Sequence, residues 1–338
     1  MAGLSRRFYD ILSANDFPVH RKPLFEEIGK ALGGTVVAYT ANPYHLMPIL
    51  NQQDVPYFET LLRSSGKDEN GFLILSSPGG DGNVAEKLIL MLRQYYKNFT
   101  VIVPNFAKSA ATMIALGSDK ILMGYLAELG PIDPQLILPG YPQPIPARSF
   151  IEGLEDIRKR VMEGKEPVDM YVPILHNVKP EVLAMSQAAI DNAKNFAEKH
   201  LKRYMLKSNP KQAAKVAEYL SNGREYKSHG QVINFEQAKN ELGLNVEMID
   251  PDSVLWESIW ELYLRSIQFM MQNQAAGAAK LFEGLNYSFM INIQVQIAQM
   301  PLRIPQPAQP APNIPIQPPK PSVKTSGDQE PTSNQTAP

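Results

Sequence analysis

Two turns in this chain carry residue types that could perform acyl transfer. The first, SSPGGDGN, follows the apolar run GFLIL and leads into a helical stretch. The second, inside NFAKSAATMIAL, follows TVIVP and sets Ser109 at the mouth of a helix of small residues. Acyl transfer needs a nucleophile, a base to take its proton, a group that orients the base, and preorganised donors for the oxyanion. Gly79 and Gly80 have no side chain to block close approach of a substrate carbonyl. The Ala110 N–H, at the start of the second helix, is a further donor. Ser109 also admits a plainer reading, as the residue that caps that helix.

The elements that must position these turns are legible from the hydrophobic pattern. KPLFEEIGKAL, VPYFETLLRS and NVAEKLILMLRQYY read as helices, and TVVAYT, GFLIL, TVIVP and KILM as short strands apolar at nearly every position. Strands of that kind are buried on both faces, and their alternation with helices predicts parallel βαβ units in an α/β fold. Ligands of open α/β sheets bind at the carboxyl ends of the strands, where both turns fall. Beyond residue 124, six prolines between Pro131 and Pro146 rule out a regular helix and predict an ordered loop or flap. Residues 150–221 read as helical, broken at SNP. NFEQAKNELGL reads as a short helix capped by Asn234 and stopped by Gly243, and NVEMI as a strand.

The C-terminal part is organised differently. VLWESIWELYLRSIQFMM is amphipathic, and Glu257, Glu261 and Arg265 inside it argue against a membrane span. Its apolar residues spread over more than one stripe, from Trp256, Trp260 and Tyr263 to Leu255 and Ile259, which predicts burial by the domain and by a second subunit. Tyr287, Phe289, Ile291, Ile293, Val295 and Ile297 alternate as in a strand buried on one face. Residues 301–338 hold eleven prolines and no apolar periodicity, and read as a disordered linker or a peptide ligand for another protein. The expected organisation is N-terminal helices and a first strand over 1–70, a core over 71–250, a helix and strand forming an interaction or oligomer surface over 251–300, and a proline-rich tail over 301–338.

Composition narrows the chemistry. The chain of 338 residues is 44% hydrophobic, enough for a sizeable core. Its net charge of −1 offers no footprint for nucleic acid or a charged membrane. With no cysteine there is no disulfide, thiolate nucleophile or thiolate-bound metal. No metal-binding helix pair or calcium loop is present, and SSPGGDGN lacks the Gly-Lys-Ser/Thr ending of a phosphate-binding loop. No cofactor is expected. The N-terminus lacks an apolar run of signal-peptide length, so a cytoplasmic location is expected.

Taken together, LSSPGGDGNVAEKL, VPNFAKSAATMIALGSDKILM, LGPIDPQL, the PARS segment at 146–149 and GREYKSHGQVINFEQAKNELGLNV resemble the serine dehydrogenase proteinase family. These are Clp-fold serine peptidases, distantly related to signal peptide peptidase A. The resemblance covers roughly residues 70–250. It implies an α/β, Clp protease/crotonase-like fold, a repeated β-β-α/βαβ core with added C-terminal helices and a strand. It also implies hydrolysis of peptide or protein substrates, and homo-oligomerisation. The family triad, in the chain order Ser, Asp, His, would be Ser109 as nucleophile, Asp133 as orienter and His229 as base. Gly79, Gly80 and Ala110 would form the oxyanion hole.

The residues leave room for other assignments. Among five histidines, His20 and His45 precede the core motifs, His200 lies in a long charged helix, and His229 sits in a polar turn from which a base could reach a crevice. Pro131 and Pro134 restrict the backbone around Asp133, although a turn-forming Asp before Pro is the simpler reading. Asp119 is a competing carboxylate at a helix-to-strand turn. Signal peptide peptidase A-like enzymes use a Ser-Lys dyad, which would make Lys165 the alternative base, with Lys108 as a weaker candidate. A crotonase-like acyl-CoA enzyme and a scaffold with a vestigial site are the remaining readings.

Overall fold

A computed structural model describes residues 2–139, 141, 143–223 and 230–294. His229, Val295, Ile297 and the proline-rich segment 301–338 lie outside the described residues. In chain order the helices are α1 (Ala2–Ser13), α2 (Pro18–Leu32), α3 (Asp54–Ser65), α4 (Gly82–Tyr95), α5 (Ala110–Leu116), α6 (Ala147–Met162), α7 (Val172–Leu175), α8 (Pro180–Arg203), α9 (Pro210–Asn222) and α10 (Val254–Gln272). The strands are β1 (Thr35–Ala41), β2 (Asp68–Ser76), β3 (Tyr96–Val103), β4 (Phe106–Ala107), β5 (Lys120–Met123), β6 (Glu128–Leu129), β7 (Gln135–Leu136), β8 (Ile145–Pro146), β9 (Val246–Met248), β10 (Ala278–Gly284) and β11 (Tyr287–Asn292).

Seven strands form one sheet in the order β11-β10-β1-β2-β3-β5-β9. The run from β1 to β9 is parallel, as the all-apolar strands require, and β10 joins it antiparallel to β1. Successive residues of β1 enter opposite cores: Val37 and Tyr39 pack with α3, α4 and α5, while Val36 and Ala38 pack with α2 and α10. The expected divisions at residues 70 and 250 therefore run through the sheet, because β1, β2 and β10 are hydrogen-bonded neighbours within the unit Met1–Val295. The two faces of α10 are covered by this chain itself. Trp256, Ile259 and Leu262 lie in the α2 core, and Tyr263, Ile267 and Met270 pack on β10 residues Ala278 and Leu281.

Strand β10 is absent from the sequence reading because Lys280 and Glu283 interrupt its apolar run. Both are buried against partners distant in sequence. Lys280 Nζ donates to Asp54 Oδ1 and Oδ2 at 2.8 and 2.9 Å, and Glu283 accepts from Arg21 at 2.7–3.0 Å. The six-proline stretch from Pro131 to Pro146 contains a short antiparallel ribbon, β7 with β8, rather than a loop alone. Beside the main sheet, β4 pairs in parallel with β6, and Ser77 bridges to Ala107, so the turns after β2 and β3 are tied to each other. Asn234 caps its helical turn as expected, its Oδ1 accepting from the Gln237 N–H at 2.9 Å. No described helix is long and apolar enough to cross a membrane.

Candidate active site

The turn carrying Ser109 is strained. Ser109 has φ 49° and ψ −120°, making it the sole non-glycine residue with positive φ among the described residues. Such a conformation costs of order 1–3 kcal/mol and persists where the surroundings impose it. Here the surroundings are explicit. The Lys108 N–H donates to Ser77 O at 3.0 Å, and the Ser77 N–H donates to Phe106 O at 3.1 Å. Thr112 Oγ1 donates to Ala107 O at 2.6 Å and to Gly130 O at 3.0 Å. The serine hydroxyl makes no capping bond to α5, so the helix-cap reading fails on geometry. It is half-buried and lines a cavity of about 540 Å³ together with Gly80, Met113, Ile132, Pro134 and Phe196.

The glycine turn abuts this serine. A methyl group on Gly79 would stand 2.5 Å from Lys108 O and 2.7 Å from Ala110 N, and one on Gly80 would stand 2.3 Å from Leu50 O. Only glycine fits, and both have positive φ, 98° and 147°. The two amides differ in use. The Gly79 N–H donates to Ser77 Oγ at 3.1 Å. The Leu50 N–H donates to Gly79 O at 2.8 Å and the Asp81 N–H to Leu50 O at 2.9 Å, which turns the N–H of Gly80 to the opposite edge. Neither the Gly80 nor the Ala110 N–H donates to any described residue.

Asp133 is buried, 5% exposed, between Ile132 and Pro134, which line the cavity. Its Oδ2 accepts from Gln135 Nε2 at 2.9 Å. A methyl group built on Gly223 would lie 3.9 Å from the same oxygen. The chain thus leaves α9 beside the Asp133 carboxylate. It returns at Gln231, whose carbonyl accepts from Lys108 Nζ at 3.2 Å, and at Ile233, which bridges to Leu129. His229 lies between these two anchors in sequence, outside the described residues.

The other candidates have structural partners. Lys108 Nζ pairs with Glu128 Oε1 at 2.8 Å and donates to Leu129 O and Gln231 O, tying the serine turn to the segment after His229. Lys165 is 67% exposed, pairs with Glu163 at 2.7 Å, and does not line the cavity. Asp119 accepts from the Phe99 N–H at 2.8 Å and from Arg93 at 2.6 Å. His200, in the long charged helix α8, is buried between Phe196 and Tyr204, with Nε2 3.6 Å from Glu86 Oε1. Burial pushes its imidazole below the usual range, partly opposed by Glu86. Sequence reasoning missed Ser77 and Thr112, whose hydroxyls hold the two turns. Their signal is faint, since a serine before SPGG and a threonine in an alanine-rich helix are common.

The family model described as ClpP-like SDH-type serine proteinase matches residues 41–277. Two uncharacterised proteins of Methanocaldococcus jannaschii are similar: one is 32% identical over 207 residues, covering 61% of this chain and 63% of that protein, and the other is 28% identical over 191 residues, covering 56% of each. The chain thus spans less than two thirds of the length of these curated relatives. Among solved structures, a serine-to-alanine mutant of a membrane-bound stomatin-specific protease is 16% identical with TM-score 0.34, covering 58% of this chain and 71% of that one. A mutant ClpP1 from Listeria monocytogenes is 13% identical with TM-score 0.34, covering 68% of this chain and 99% of that one. Likeness at that level says nothing of the chemistry.

Proposed function

The chain belongs to the ClpP-like SDH-type serine proteinases, and from that premise we propose that it hydrolyses peptide bonds through an acyl-enzyme on Ser109. Ser109 Oγ attacks the substrate carbonyl, forming the C–O bond while its proton passes to the base. The tetrahedral oxyanion is held by the N–H groups of Gly80 and Ala110, the two that donate to no described residue. Gly79 shapes the turn and is not a donor, because its N–H is engaged by Ser77. The intermediate collapses with expulsion of the amine, which takes the proton back from the base, and water then releases the acyl group by the reverse sequence.

We assign the base to His229 and its orientation to Asp133. The observation that supports this is the pair of anchors around His229, one beside the Asp133 carboxylate at Gly223 and the other on Lys108, the neighbour of Ser109. No described side chain hydrogen-bonds Ser109 Oγ, and Lys165 is exposed, paired with Glu163 and absent from the cavity lining. Labelling with a fluorophosphonate tests the nucleophile: wild type should label and Ser109→Ala should not, and equal labelling refutes the assignment. In a peptidase assay His229→Ala should lose about 10³-fold or more in kcat while Lys165→Ala stays near wild type. The reverse pattern would mean a Ser-Lys dyad. Acyl-CoA hydrolysis surviving Ser109→Ala would favour the crotonase-like reading.

A further inference from the structure

Lys280 of β10 and Asp54, the first residue of α3, form an ion pair in which neither side chain reaches solvent. Stability does not account for such a pair. Burial pushes the Asp54 carboxyl up and the Lys280 ammonium down, against their mutual attraction, and two apolar side chains of similar volume commonly do as well or better in the same space. What the pair does hold in place is the chain entering α3. Asp54 Oδ2 accepts from the Asn51 N–H at 2.8 Å, and the Asp54 N–H donates to Asn51 O at 3.0 Å. Lys280 Nζ, on both carboxylate oxygens at 2.8 and 2.9 Å, fixes the direction in which that acceptor points.

Asn51 follows Leu50, the residue that fixes the glycine turn. The Leu50 N–H donates to Gly79 O and Leu50 O accepts from the Asp81 N–H, so Leu50 grips the chain on either side of Gly80. A methyl group on Gly80 would stand 2.3 Å from Leu50 O and 2.5 Å from Leu50 N, so no slack separates the two, and a shift of one moves the other. We propose that Asp54, held by Lys280, is a positioning residue of the active site, acting through Asn51 and Leu50 to aim the Gly80 N–H at the oxyanion. Neither side chain lines the cavity, so the effect falls on the transition state and not on substrate binding. The proposal rests on the reading of Gly80 as an oxyanion donor to chemistry on Ser109.

The test compares two variants that share a neutral residue at 280 and differ by one acceptor. Asp54→Asn/Lys280→Met keeps an oxygen for the Asn51 N–H; Asp54→Leu/Lys280→Met, of similar shape, does not. Both are assayed on a peptide substrate at a temperature where circular dichroism shows them folded. The leucine variant should have a kcat about 10–10²-fold below that of the asparagine variant, the range expected when an oxyanion donor is displaced rather than removed. KM should change by less than about twofold, and hydrogen exchange at the Leu50 and Asp81 amides should be about tenfold faster. Equal kcat in the two folded variants, or a loss carried by KM, overturns the proposal. If the leucine variant does not fold, Asp54→Ala/Lys280→Met removes the same acceptor and is read in the same way. If wild type neither cleaves peptides nor labels with a fluorophosphonate, it is the nucleophile reading that has failed. Exchange at Leu50 and Asp81 then decides the positioning role: faster exchange in the leucine variant sustains it, and equal protection refutes it.

Discussion

Replacing Ser109 by glycine should make the protein more stable while abolishing labelling at that site. Ser109 sits at φ 49° and ψ −120°, where a Cβ is crowded and glycine is at ease. The strain is of order 1–3 kcal/mol, and glycine restores about 0.5–1 kcal/mol of chain entropy to the unfolded state, leaving a net gain of about 1 kcal/mol at the midpoints of these ranges and up to about 2.5 kcal/mol. The proper control is Ser109→Ala, which removes the hydroxyl but keeps the Cβ, and with it the strain. Because the hydroxyl makes no bond to a described residue, alanine itself should change stability little. A gain of 1 kcal/mol corresponds to roughly 1.5–2 °C in Tm for a folded unit of about 300 residues. Differential scanning calorimetry of the two variants should therefore show the glycine form melting a few degrees above the alanine form. Neither should react with a fluorophosphonate. Equal melting temperatures, or a less stable glycine variant, would mean that the turn is not strained and that its conformation is no evidence of function.

Three further outcomes follow from the packing. Gly79→Ala would force a methyl group to within 2.5 Å of Lys108 O and 2.7 Å of Ala110 N; with the Ala110 donor displaced, activity should fall about 10²–10³-fold, as when an oxyanion donor is lost, and unchanged kcat would show that the turn has room to move. Lys280→Met strands the Asp54 carboxylate, itself pushed up by burial, in the core; urea denaturation should show a loss of about 3–5 kcal/mol, of which Asp54→Asn in the same chain restores a part. His200 has a folded-state pKa depressed by burial, so its contribution is complete above the unfolded value of about 6.5 and is lost as pH falls below it. Tm should thus drop on acidification toward pH ~5 more steeply in wild type than in His200→Phe; parallel curves would rule out His200 as the cause.

What could be read from the sequence depended on how local its cause was. Strands β1, β2, β3 and β5 were legible because burial on both faces demands an apolar residue at nearly every position, a pattern visible within a few residues. Strand β10 was not, since Lys280 and Glu283 make sense only with Asp54 and Arg21, which lie 226 and 262 positions away. The width of the apolar surface on α10 was legible, but what covers it was not: α2 and β10 do so, where a second subunit was expected. At the site, the serine-bearing turn and the glycine turn were visible as motifs, though not the strain at Ser109. Which glycine amide is free depends on the direction of single N–H groups, set by Leu50 and Ser77, and no spacing encodes that. His200 does lie in the long charged helix expected, but its burial was not legible, because it comes from packing against Phe196 and Tyr204 while the charged residues around it dominate the pattern.

The antiparallel pairing of β10 with β1 has a consequence for how the chain is made. Val37 pairs in register with Gly284, so the first strand of the sheet to leave a ribosome waits for the last but one. Until then β1 is a bare edge, with Asp54 lacking its lysine and Arg21 lacking its glutamate. Closing so long a loop makes folding slow, and the open edge is where a nascent or truncated chain would pair with a neighbour. The β10–β11 hairpin is thus the latch of the sheet. A chain that ends before residue 278 would present its serine and glycine turns on an unfinished frame.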